Sequence, residues 1–123
     1  MILTLPYPPS LNHYYRSVRG IVIISGDGKA YRKTVETELA VMRLAGKIGP
    51  ALTGRLAVEI EARAATRDKN GKRMGVKRDI DNTLKALLDA LQHGGAYAND
   101  GQIDDLRIFR GPSCDRGEVI VAI

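Results

Sequence analysis

The amino-acid sequence predicts an α+β fold, a two-layer arrangement with a mixed β-sheet and two main helices on one face. Two patterns carry that expectation. Residues Arg55 to Ala64 alternate between apolar and polar side chains at every position but Ala57, and two longer stretches repeat their apolar residues at helical spacing. The length agrees, because 123 residues suffice for one domain with a modest core and fall well short of two. No internal repeat, low-complexity tract or interdomain linker interrupts the chain, so residues 1–123 read as a single domain.

Taken in order, Ile2 to Tyr7 reads as a strand closed by Pro8-Pro9, and Ile21 to Ser25 as a short apolar strand ended by the turn-forming Gly26-Asp27-Gly28. Ala30 to Lys47 reads as a helix with Val35, Leu39, Met42 and Ala45 on its apolar side, stopped by Gly49-Pro50. In the alternating strand, Leu56, Val58, Ile60 and Ala62 share the inward face, while Arg55, Glu59, Glu61 and Arg63 share the solvated one. A second helix follows Asp81, with Leu84, Leu87, Leu88 and Leu91 as its packing stripe, and Gly94-Gly95 should stop it near His93. Ile103 to Phe109 and Glu118 to Ile123 supply the last two strands.

Composition narrows the class of partner. The chain carries a formal net charge of +5 and a pI near 9.6, which suits an acidic partner such as nucleic acid. No apolar run approaches the ~20 residues a spanning helix needs, so no membrane partner is expected. The first residues lack the charged and apolar regions of a secretion signal, and Cys114 is the sole cysteine, which excludes an intrachain disulfide and a cysteine zinc site. A reducing cytoplasm is the expected compartment. His13 and His93 have no second His or Cys at metal-binding spacing and read as surface or capping residues.

The chemistry concentrates in Asp79-Ile80-Asp81-Asn82-Thr83-Leu84-Lys85, with Asn99-Asp100 one helix later. Were residues 79 to 81 extended, Asp79 and Asp81 would share a face and Asp81 would cap the following helix. Asp81, Lys85 and Asp89 then fall one turn apart on a helical row. Alone, an Asp-x-Asp-Asn before an apolar helix is ordinary cap chemistry. The neighbourhood changes that reading: Arg67, Lys69, Lys72, Arg73, Lys77 and Arg78 crowd a Gly-containing stretch with only Asp68 to offset them. A cap needs no such cluster, whereas a polyanion does. Three convergent carboxylates beside a phosphate suit Mg²⁺ or Mn²⁺, hard cations that take oxygen ligands. Tyr14, Tyr15 and Arg16 either stack on bases and hold a phosphate or serve as structural residues near a turn.

At this point the chain resembles the RusA-type Holliday junction resolvases, small bacterial and phage endodeoxyribonucleases. The resemblance runs almost end to end and rests on three ordered segments: Pro8-Pro9-Ser10-Leu11-Asn12-His13-Tyr14-Tyr15-Arg16, then Arg78-Asp79-Ile80-Asp81-Asn82 with Lys85, then Asp100-Gly101-Gln102-Ile103. It implies Asp79, Asp81 and Asp100 as metal-binding catalytic acids and Lys85 as the catalytic lysine. It also implies four-way junction DNA as substrate, nicks with 5′-phosphate and 3′-hydroxyl ends, and a homodimer whose two sites cut two strands symmetrically. One position departs from the family pattern, since Asn99 stands where the family has an acid before the third aspartate. The competing expectation is a DNA-binding module with a degenerate metal site, in which basic loop and aromatics persist without cutting.

Overall fold

The alternating strand β4, Leu56–Arg63, buries one face and lies in the middle of a sheet. In the computed structural model, which describes residues 1–73 and 79–123, β4 is flanked by β5 (Ile103–Arg110) and β6 (Glu118–Ala122), and β6 by β1 (Ile2–Pro6). The sheet order is β1-β6-β4-β5. β4 runs parallel to β5 and antiparallel to β6, which in turn runs antiparallel to β1, so the sheet is mixed as expected. A parallel neighbour demands a crossover connection, and the chain between β4 and β5 contains a helix that provides one. The inward residues are Leu3 and Leu5 of β1, Val58, Ile60 and Ala62 of β4, and Val119 and Val121 of β6. Each buried Leu, Val or Ile among them contributes ~1.5–3 kcal/mol by leaving water, and Ala62 less. β5 is an edge strand, and its exposed Asp104 and Asp105 blunt it against further pairing.

Together with residues 55–82, these strands form one compact unit of the chain. The second unit comprises residues 8–54 and 83–102. It holds α1 (Leu11–Tyr14), the hairpin of β2 (Tyr15–Val18) and β3 (Ile21–Ile24), α2 (Gly26–Leu44) and α3 (Leu84–His93). α2 packs on α3. Tyr31, Val35 and Leu39 of α2 and Ala86, Leu87, Ala90 and Leu91 of α3 are buried at the i, i+4 spacing of two facing stripes.

Several boundaries differ from the sequence reading for local reasons. α1 and β2 are too short for a periodicity to announce them. α2 begins at Gly26 rather than Ala30 because the Ser25 Oγ accepts a hydrogen bond from the Gly28 amide at 3.0 Å, so the Gly26-Asp27-Gly28 expected as a turn forms the first helical turn. Gly28 is required there: a Cβ would stand 2.7 Å from the Tyr14 carbonyl oxygen and 2.8 Å from Ile24 Cγ2. The helix ends at Leu44, short of Lys47, and Ala45 lies beyond it, exposed. α3 stops at His93 as expected, where Gly95 takes a φ of +80° and Arg43 donates to the carbonyls of Gly94 and Gly95 at 3.4 and 2.6 Å. Among the described residues, no helix is long and apolar enough to cross a membrane.

Candidate active site

The expected site residues fall in two places. Asp79 and Asp81 belong to the sheet unit, Lys85 and Asp100 to the helical one. Asp79 to Asn82 is not extended. It forms a turn closed by the Asn82 amide donating to the Asp79 carbonyl at 3.1 Å, a conformation that Asp and Asn favour. Nor does Asp81 cap α3, which starts at Leu84 behind a Thr83 that makes no side-chain cap bond. Both aspartates are exposed, and neither carboxylate has a hydrogen-bond or ion-pair partner among the described residues. Lys77 and Arg78 lie outside the described residues.

The helical unit holds a knot of polar side chains around Asp89. Asp89 Oδ1 sits 3.1 Å from Lys85 Nζ, one turn back on α3. Its other oxygen accepts the Tyr14 hydroxyl at 3.1 Å and faces the Arg32 guanidinium at 3.7 Å, while Arg32 Nε donates to the same hydroxyl at 2.9 Å. Lys85 is thereby held firmly protonated, chiefly by its hydrogen bond to Asp89 and further by the charges of Asp89 and Asp100. Tyr14 has no exposed surface, and burial pushes its hydroxyl up to about 12. A ring so enclosed cannot stack on a base, which corrects the DNA-contacting reading of Tyr14 in favour of the structural one. Tyr15, half-buried, meets it edge-on with centroids 4.8 Å apart, and Arg16 is exposed on β2.

Asp100 opens a single 3₁₀ turn whose backbone is pinned from all sides. Gln92 Oε1 accepts its amide at 2.9 Å, and Gln102 ties the amides of Ala98 and Asn99 to the carbonyls of Leu52 and Gly54. Asn99 spends its Oδ1 on the Gly101 amide at 2.7 Å, so the residue that departs from the family pattern is a loop fastener. The Asp100 carboxylate makes no hydrogen bond or ion pair among the described residues; its charge acts on Lys85 and Tyr97. Also among the described residues, no three His, Cys, Asp or Glu side chains form a ready metal-holding group.

Residues 67–73 of the basic stretch form a tight turn closed by an antiparallel bridge between Arg67 and Arg73. Asp68, the acid that could offset it, is spent on the turn: its Oδ1 accepts the amides of Asn70 and Lys72, each at 2.9 Å. Arg67 donates to the Gly71 carbonyl and bridges towards Asp115, while Lys69, Lys72 and Arg73 are exposed with no acid fastened to them among the described residues. The histidines take the surface roles expected of them, His13 against Ser10 Oγ at 2.8 Å and His93 against Glu36 at 3.4 Å. Asp89 and Arg32 are not among the expected site residues. The spacing of Lys85 and Asp89 points to the first, and nothing in the local sequence points to the second.

Comparison with known proteins places the chain in a family. The family model described as endodeoxyribonuclease RusA matches residues 6–123. A crossover junction endodeoxyribonuclease of Enterobacteria phage HK97 is 37% identical over 97% of this chain and 89% of its own length. Those of Shigella sonnei (strain Ss046) and Escherichia coli (strain K12) are 35% and 34% identical, each over 98% of this chain and 91% of its own length.

Proposed function

Because the chain belongs to the endodeoxyribonuclease RusA family, and so to the DNA-cutting nucleases, we propose that it resolves four-way DNA junctions with Mg²⁺ or Mn²⁺, as one catalytic domain spanning residues 1–123. Asp79, Asp81 and Asp100 would hold the cation. The donor set fits such a group: three carboxylates supply hard oxygens, and none of them is hydrogen-bonded or ion-paired to another side chain among the described residues. That uncommitted state is the observation that carries the proposal. A bound divalent cation supplies Lewis-acid stabilisation of the charge that builds on the phosphate and activation of the attacking water.

The chain's own residues do the rest. Lys85 stays protonated and offers its ammonium to the phosphoryl or leaving oxygen, where it is worth most as charge develops in the transition state. Lys69, Lys72, Arg73 and Arg16, with Arg67, Lys77 and Arg78, hold the phosphate backbone, and Tyr15 lies beside Arg16 for contact with a sugar or base. Resolution needs two symmetric nicks, yet the chain offers one Asp79/Asp81/Asp100/Lys85 set. A two-fold homodimer supplies two sets related as the junction's own arms are. The setting is the bacterial cytoplasm, where host and phage DNA recombine.

The test is cleavage of a synthetic four-way junction, compared with linear duplex of the same sequence, in Mg²⁺ and in chelator. Paired nicks in strands of like polarity, ending in 5′-phosphate and 3′-hydroxyl and absent in chelator, support the proposal. Tight junction binding without a cut in either Mg²⁺ or Mn²⁺ would show the non-catalytic module instead.

A further inference from the structure

Lys85 occupies an awkward position for a cation. It lies in the first turn of α3, where the helix dipole disfavours positive charge, and it precedes its acidic partner, the weaker order for a lysine and acid one turn apart. Its side chain is 48% exposed, and a pair that open contributes little to stability by itself. Helix stability therefore does not explain the pair. What distinguishes it is Asp89, whose side chain is only 15% exposed and whose second oxygen is already fixed by Tyr14 and approached by Arg32.

From this geometry we propose that Asp89 is a positioning residue for the reaction, anchored by Tyr14 and Arg32 and holding the Lys85 ammonium in one place for the phosphate. The proposal rests on the reading of Lys85 as the catalytic lysine. A lysine head on four flexible carbons sweeps a wide volume, and ordering it during the reaction costs side-chain entropy. Asp89 accepts from one of the three N–H donors and leaves two for phosphoryl oxygens. The carboxylate is itself fixed because the three groups that reach it come from three helices: Tyr14 from α1, Arg32 from α2 and Lys85 from α3. Tyr14 is enclosed, so its hydroxyl has no alternative in bulk water. The chain of donors from Arg32 Nε through the Tyr14 hydroxyl to Asp89 thus sets where the lysine stands before substrate arrives.

A double-mutant cycle separates positioning from scaffolding. Single-turnover cutting at saturating protein, junction affinity and thermal midpoint are measured for the wild type, Asp89→Asn, Lys85→Ala and the double variant. Asn keeps an acceptor for Tyr14 and removes the charge that holds Lys85. The expected result is a ~10- to 100-fold slower cut for Asp89→Asn, the penalty of a reacting group misplaced by about an ångström. Affinity should change less than ~2-fold, and Asp89→Asn should add almost nothing in the Lys85→Ala background. Equal losses in both backgrounds would overturn the positioning role and leave Lys85 standing as catalytic. Normal cutting by Lys85→Ala would overturn the reading of Lys85 and this proposal with it. Should Asp89→Asn fail to fold, Tyr14→Phe removes the hydroxyl and keeps the buried ring; it should slow cutting by a smaller factor with Lys85 present and by none without it, and an equal loss in both backgrounds again refutes the role.

Discussion

The acidic turn at residues 79–82 and the knot around Asp89 use the same side chain in opposite ways. In the turn, Asp79 and Asp81 are exposed and make no side-chain bond among the described residues. In the knot, Asp89 is surrounded by a tyrosine hydroxyl, a guanidinium and an ammonium. A carboxylate with that many partners has little left to offer a cation, whereas one held only by solvent has both oxygens to give. Under the proposed function the contrast becomes a division of labour: aspartates without a side-chain partner among the described residues for metal, a saturated aspartate for placing a lysine.

The largest effects should come from the free set. Asp79→Asn, Asp81→Asn or Asp100→Asn should each slow cutting by ~10³-fold or more, since a metal-held phosphate gains several kcal/mol of transition-state stabilisation. Junction affinity, measured by gel shift, should hold or tighten because no basic residue is touched. Near-normal Mg²⁺-dependent nicking in any two of them would break the comparison on that side. Lys85→Ala should come next, at ~10- to 100-fold in the rate at saturating protein and little in affinity.

Smaller changes sharpen the contrast. Replacing Lys69, Lys72 and Arg73 together with alanine should weaken binding and lower the log–log salt slope by about 0.9 for each phosphate left without its cation, with a modest effect on the saturated rate. An unchanged slope would remove this turn from the DNA interface. Gly28→Ala drives a methyl against the Tyr14 carbonyl and should cost ~1–3 kcal/mol of stability by overpacking, read from denaturant unfolding. Asp104→Asn should leave melting and cutting alike unchanged, because Asp104 is an open surface partner of Arg55 and is not in the proposed site.

The sheet is the most legible part of the chain. Of the inward set the sequence names for β4, Leu56, Val58, Ile60 and Ala62, the last three are buried and Leu56, at the strand's start, is half-buried; Gly94-Gly95 marks the end of α3. Illegibility begins where local chemistry offers two outcomes. Asp79 to Asn82 carries residues equally at home in a cap and in a turn, and the turn forms, leaving Thr83 before the helix. Gly26-Asp27-Gly28 reads as a breaker, yet the Ser25 cap and the close approach of Tyr14 to Gly28 draw it into α2. In the site, Lys85 and Asp89 can be paired by counting one helical turn. Arg32 and Tyr14 join them only through tertiary packing, which no spacing rule along the chain encodes.

The central claim, that free and saturated aspartates divide the work, is tested most directly by titrating Mn²⁺ into the protein without DNA and following bound ion by electron paramagnetic resonance. Wild type, Asp81→Asn and Asp89→Asn are compared at equal concentration, with the fold checked by circular dichroism. The account predicts that Asp81→Asn loses the bound Mn²⁺ while Asp89→Asn retains it at wild-type affinity. Retention by Asp81→Asn together with loss by Asp89→Asn would contradict it.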